Sequence, residues 1–173
     1  MTRQFETRCC IAGGGPAGMM LGLLLARAGV AVVVLEKHAD FLRDFRGDTI
    51  HPSTMQVMHE LGLLEKFLEL PHQRVPEMVA QFGEEKLHLA DFSRLRVRAP
   101  FIAMMPQWDF LDFLADRARA YPNFKLLMRT EALDLLRQGD RVAGFRARDP
   151  EGELQIRAQL TVAADGRGSV LRT

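Results

Sequence analysis

The hydrophobic positions of this chain change period several times, and each change predicts an element. Residues 9–12 and 30–35 are short, unbroken apolar runs, the pattern of strands with both faces covered. Between them, residues 16 to about 28 are rich in alanine, leucine and methionine and predict a helix. Pro16 suits the first turn, where its missing N–H costs nothing, and Gly29 suits the C-terminal stop. Residues 52–70 place Met55, Met58, Leu61, Leu64 and Leu68 on one helical face. Ser53 or Thr54 is a candidate N-cap, and Gly62 divides the stretch into two short helices.

From 75 to 105 the period falls to two. Met78, Ala80 and Phe82 alternate with polar residues, as do Leu87 and Leu89, with a turn at 83–86. These strands are expected in a second layer or a small inserted domain. Residues 107–120 form an amphipathic helix, and 125–129 a short strand. Three runs follow, 132–136, 142–148 and 154–158, separated by the turn sequences RQGDR and DPEG, which predicts an antiparallel meander. Residues 160–164 show no alternation and predict one more strand buried on both faces. The fold class is therefore α/β. A mostly parallel sheet is built from strands near Cys9, Val32, Leu126 and Val162, with the meander at one side.

Length and composition narrow the class. At 173 residues with 47% apolar and 26% charged content, the chain can bury a core of its own. A net charge of +1 points to neither nucleic acid nor an anionic membrane. Cys9 and Cys10 are adjacent in a strand, so their side chains point to opposite faces and no disulfide is expected; a reducing cytoplasm fits. The first fifteen residues lack the apolar core of a signal peptide. The helix after Pro16 is interrupted by Arg27 and Gly29, short of a membrane span.

Candidate chemistry concentrates at residues 9–36. Gly13, Gly15 and Gly18 fit G-x-G-x-x-G between an apolar strand and a helix. Gly13 permits the tight turn, Gly15 lets a pyrophosphate approach the backbone, and Gly18 lets helix and strand pack closely. Free N–H groups at the helix start favour an anion. Glu36 follows the second strand, where a carboxylate accepts hydrogen bonds from adenosine ribose hydroxyls and repels a 2′-phosphate, which argues against NADP at this site. Asp165 and Gly166 directly follow the last apolar strand, on the side where open parallel sheets bind ligands. His38, His51, His59, His72 and His88 show no metal spacing, so no metal is expected. Ser169 lacks a nucleophile elbow, and Arg94, Arg96 and Arg98 form one polar strand face.

Three segments together are more specific than the glycine loop alone: GGGPAG with Glu36, FRGDTIHPSTMQVMHELGL, and AADGRGSVLR. In their order and spacing the chain resembles the N-terminal part of the FAD-dependent aromatic-hydroxylase monooxygenases, the p-hydroxybenzoate hydroxylase type. The resemblance implies a Rossmann-like FAD-binding domain over 1–173, with 75–105 the start of a β-rich substrate domain. It implies that Gly13, Gly15, Pro16, Ala17 and Gly18 wrap the FAD pyrophosphate. Glu36 holds the adenosine ribose with Lys37 beside it, Arg46 approaches flavin and pyrophosphate, and Gln107 lies near the phosphate and ribityl chain. Asp165 and Gly166 form the family's Asp-Gly motif, closed by Arg172.

The implied activity is hydroxylation of a small, aromatic substrate with NADH or NADPH as co-substrate and O₂ as oxygen donor. The redox chemistry belongs to the flavin, so no side chain here is named as catalytic. The family runs to more than twice this length and carries a further Gly-Asp fingerprint that this sequence lacks. The expectation is thus an N-terminal portion that alone binds FAD weakly and has an exposed apolar edge favouring a homo-oligomer or aggregation. Rival readings are a reductase or halogenase of the same fold, or a non-catalytic nucleotide-binding piece. Halogenases usually carry a tryptophan-rich motif, and the single tryptophan here is Trp108.

Overall fold

The computed structural model describes residues 3–42 and 48–172. In chain order these form β1 (Arg3–Ala12), α1 (Pro16–Arg27), β2 (Val32–Leu35), β3 (Thr49–Ile50), α2 (Pro52–Glu60), α3 (Leu64–Leu68), β4 (Gln73–Val75) and β5 (Glu77–Phe82). Then come β6 (Glu85–Asp91), β7 (Ile102–Met104), α4 (Gln107–Arg119), β8 (Phe124–Leu127), β9 (Glu131–Gln138), β10 (Arg141–Asp149) and β11 (Gly152–Ala163). The chain divides into two compact units, one from Met1–Leu42 with Leu111–Thr173, the other from Arg43–Phe110.

The first unit is built on a six-stranded sheet in the order β8-β2-β1-β11-β10-β9. β8, β2, β1 and β11 run parallel, while β11, β10 and β9 form the antiparallel meander. The expected α/β arrangement is therefore present, with one difference. The third meander strand and the last parallel strand are one twelve-residue strand, β11. It pairs with β10 over residues 152–157 and with β1 along nearly its whole length. A continuous strand needs no turn between 158 and 160, and none of the turn formers stands there.

One face of the sheet buries Cys10, Ala12, Val33, Leu35, Phe145, Ala147, Leu154, Ile156 and Leu171 as a single cluster. Cys9 and Ile11 alternate with these, and Ile11 faces α1, which buries Met19, Leu23 and Ala26. The two thiols therefore lie on opposite faces, free and buried, as expected. Burial pushes the Cys10 thiol up to about 12. The expected two-sided burial of 160–164 does not hold, since Leu160 is 54% exposed.

Helix α1 ends in a Schellman closure: Gly29 N–H donates to Ala26 O at 3.0 Å and Val30 N–H to Leu25 O at 2.9 Å. The Asn123 side chain, just before β8, donates to Ala26 O and Val30 O at 2.9 and 2.8 Å, tying the helix end to the sheet. Close packing of α1 depends on Gly22, where a Cβ would lie 2.8 Å from Val34 Cγ2 and 3.0 Å from the Phe124 ring.

The second unit holds a three-stranded antiparallel sheet, β3-β7-β4, with α2 and α3. The two short helices are where periodicity puts them, and Met55, Met58, Leu64 and Phe67 are buried. Phe67 and Phe110 meet edge to face at 5.8 Å. The N-cap of α2 is His51 rather than Ser53 or Thr54. Pro52 fixes the first helical position, and no side chain caps the end. β5 and β6 form a separate hairpin turning at Gly83 and Glu84. Its alternating apolar residues are not packed inward: Phe82, Leu87 and Leu89 are 68%, 53% and 56% exposed.

Two outcomes follow for stability. Gly22→Val should destabilise the first unit by about 1–3 kcal/mol through overpacking, measured as a lower denaturant midpoint with an unchanged m-value. Arg3 bonds Asp149 and, at 2.7 Å, Glu151, clamping the start of β1 to the β10–β11 turn. The Arg3 hydrogen bond holds the Asp149 carboxyl below its ordinary 3.8. A depressed carboxyl stabilises above its ordinary value and loses that stabilisation as pH falls through the folded value. The stability gap between parent and Arg3→Ala should therefore be present at pH 7 and close as pH drops below about 4; urea titrations at both ends of that range measure it.

Candidate functional site

The register of the parallel strands sets the site. Ala12, Leu35, Leu127 and Ala163 are mutual partners across the sheet, so four strand ends stop level with one another. β1 continues through α1 to β2 on one side, while β11 lies on its other side. The carboxyl end between β1 and β11 is thus the point where connections diverge, the usual ligand crevice of an open α/β sheet.

The glycine loop occupies that point. Gly13 has φ +106° and donates its N–H to Leu35 O at 2.8 Å. A Cβ on it would lie 2.3 Å from Ala164 O, so only glycine lets the loop meet the chain leaving β11. Ala164 N–H closes the contact by donating to Ala12 O at 2.7 Å. Gly18 packs so tightly that a Cβ would meet Gly13 O at 1.9 Å. Gly15 is the reverse case, with nothing within 4 Å of a Cβ. It is the N-cap of α1, with no side-chain cap bond and no acidic residue in the first turn. Pro16 and Ala17 are exposed beside it. Open space over an uncapped helix start is what a pyrophosphate needs.

Glu36 follows β2 and is 7% exposed. Its Oε2 accepts from Gly14 N–H at 3.0 Å. Its Oε1 accepts from His38 N–H at 3.0 Å and lies 2.5 Å from His38 Nδ1. A Cβ on Gly14 would stand 2.8 Å from Glu36 Cβ, so the middle glycine of the GGG run answers to the glutamate. Lys37 is exposed. The end of β8 and residues 128–130 strap the strand end: Glu36 N–H donates to Leu127 O, Thr130 N–H to Glu36 O and Arg129 N–H to His38 O, at 2.8–2.9 Å. Arg129 takes φ +53°, sparsely populated for a side chain of its kind, and Thr130 is 3% exposed.

Asp165 and Gly166 follow directly, against Gly13: a Cβ there would lie 2.9 Å from Asp165 N. Asp165 is half-buried, and its carboxylate has no hydrogen-bond partner among the described residues. Arg172, exposed, donates to Arg167 O at 2.7 Å and closes this turn. The structure thus brings together Gly13, Gly15, Pro16, Ala17, Gly18, Glu36, Lys37, Asp165 and Gly166. Gln107 is the first residue of α4, in the second unit, and Arg46 lies outside the described residues. Sequence reasoning missed Gly14, His38 and the 128–130 strap. The third consecutive glycine was the available signal for Gly14. The strap is a tertiary contact with no local signature.

The glycine cradle, the uncapped helix and the inward carboxylate fit the adenosine diphosphate portion of FAD. No group of metal-ligating side chains occurs among the described residues, and no helix among them is long and apolar enough to cross a membrane.

Comparison with known proteins agrees with that geometry. The profile of the FAD binding domain family matches residues 6–173. A 6-methylpretetramide 4-monooxygenase of Streptomyces rimosus is 32% identical over 168 residues, covering 96% of this chain and 40% of that protein. The rifampicin monooxygenase of Streptomyces venezuelae is 34% identical, covering 94% and 32%. Among solved structures, the myxobacterial chondrochloren halogenase CndH superposes with a TM-score of 0.84 at 26% identity, covering 96% and 39%. The OxyS anhydrotetracycline hydroxylase of Streptomyces rimosus gives 0.80 at 28%, covering 95% and 33%. The chain therefore spans about a third to two fifths of the length of these relatives. With its loop, acidic residue and Asp-Gly turn all at the carboxyl ends of the parallel strands, and the family profile matching residues 6–173, the chain belongs to the FAD binding domain family.

Proposed function

We propose that this chain forms the FAD-binding part of a monooxygenase that hydroxylates a small, aromatic substrate, with NADH or NADPH as reductant and O₂ as oxygen donor. The observation that carries the reading is the convergence of the glycine loop, Glu36 and Asp165–Gly166 at the β1/β11 crevice. The relatives named as monooxygenases of 6-methylpretetramide and rifampicin support it. FAD, when bound, supplies the electron transfer and oxygen activation.

The protein's residues bind and orient. The α1 N-terminus and the loop at Gly13–Gly15 hold the pyrophosphate, and Glu36 holds the ribose hydroxyls with Lys37 at the rim. Asp165 and Gly166 bind the cofactor across the crevice, Arg46 approaches the flavin and pyrophosphate, and Gln107 serves the phosphate and ribityl chain. Residues 75–105 begin the substrate domain. The exposed apolar hairpin β5–β6 supports this, because an isolated two-stranded hairpin is marginal in water and needs further cover. The free buried thiols suit a reducing cytoplasm. The likeness to CndH favours a halogenase as the second reading; product analysis with and without halide separates the two.

The direct test is Glu36→Ala. Losing a charge-assisted hydrogen bond worth roughly 1.5–3 kcal/mol should weaken binding of FAD, or of ADP as its adenine half, about ten- to a hundredfold in titration calorimetry. Unchanged affinity would refute the assignment of the ribose to Glu36.

A further inference from the structure

We infer that His38 is a positioning residue for nucleotide recognition: it holds Glu36 in the orientation from which the carboxylate meets the ribose diol. The inference rests on the ribose reading of Glu36.

The two oxygens of Glu36 are held differently. Gly14 N–H holds Oε2 at 3.0 Å, a backbone contact that belongs to the glycine loop itself. His38 contacts Oε1 twice, through its backbone N–H at 3.0 Å and the ring Nδ1 at 2.5 Å. Because a carboxylate oxygen accepts, the ring must carry its proton on Nδ1. The side chain of Glu36 is nearly buried, while the His38 side chain is 46% exposed. The ring therefore stands at the mouth of the site and grips the carboxylate from outside.

His38 is itself fixed. Arg129 N–H donates to His38 O at 2.8 Å, from a residue held at φ +53°. That places the His38 backbone against the 128–130 strap, so the ring needs only its own torsions set to reach Glu36. The consequence concerns specificity. A glutamate side chain rotates about three torsions, whereas two adjacent hydroxyls are met by one carboxylate plane. Fixing that plane before binding spares its ordering on binding, the general advantage of a preorganised site. The Gly14 bond anchors one oxygen. The His38 contacts anchor the other.

The experiment compares ADP with 2′-deoxy-ADP and 3′-deoxy-ADP by titration calorimetry in wild type, Glu36→Ala, His38→Ala and His38→Asn. Wild type should prefer ADP. His38→Ala should reduce that preference about three- to tenfold while barely changing affinity for the deoxy nucleotides. His38→Asn should restore most of the preference, since its amide nitrogen stands near the place of Nδ1. A preference intact in His38→Ala but lost in Glu36→Ala overturns the inference and leaves the ribose reading standing. A preference intact in Glu36→Ala, or no wild-type preference or binding, overturns both. Equal weakening of all three nucleotides in His38→Ala indicates a general loss of structure and also overturns it. In the ligand-free chain, ¹⁵N NMR of the His38 ring should show a protonated Nδ1 whose shift changes in Glu36→Gln. An unprotonated Nδ1 contradicts the proposal without any ligand.

Discussion

A backbone contact closer than any side chain permits holds this site together. Gly13 leaves β1 directly against Ala164, which leaves β11, at a separation that a single Cβ would fill. The contact exists because β1 and β11 are parallel and end in register, Ala12 beside Ala163. The level strand ends bring the Asp165–Gly166 turn beside the loop, and the same register at Leu35 brings Glu36 to the other side of it. The grouping of Glu36, Asp165 and Gly166 around the loop is thus a consequence of strand pairing, and the hydrophobic faces of the sheet set that pairing. Disturbing the core under Phe145, Ile156 and Leu154 would displace the site without touching it.

Much of this was legible in the sequence because the relevant signals are local. The unbroken apolar runs gave β1 and β2, the RQGDR and DPEG turns gave the meander, and the glycine spacing gave the tight turn between β1 and α1. Local signals failed where tertiary structure decides. Residues 152–163 read as two strands because their character changes midway: the first half pairs on both sides, and the second half keeps only β1 beside it. The same change leaves Leu160 exposed. His51 rather than Ser53 begins α2 because Pro52 fixes the backbone there. Two of the partners of Glu36 were invisible for the same reason: Gly14 is 22 residues away in sequence, and Thr130 arrives with the strap.

The hairpin at 77–91 teaches a different lesson. Its alternation of apolar and polar residues is as clear as that of any strand in the chain, yet the apolar side chains stand in solvent. Periodicity reports which residues share a face and leaves open what covers that face. The chain spans two fifths or less of the length of these relatives.

In the proposed function, the crevice between β1 and β11 receives the adenosine diphosphate portion of FAD. Backbone amide NMR of the ¹⁵N-labelled chain titrated with ADP tests it most directly. Saturable shifts confined to Gly13–Gly18, Glu36–His38, Arg129–Thr130 and Asp165–Gly166 are expected. Saturable shifts centred in the second unit, or an absence of shifts at the glycine loop under saturating ADP, would contradict it.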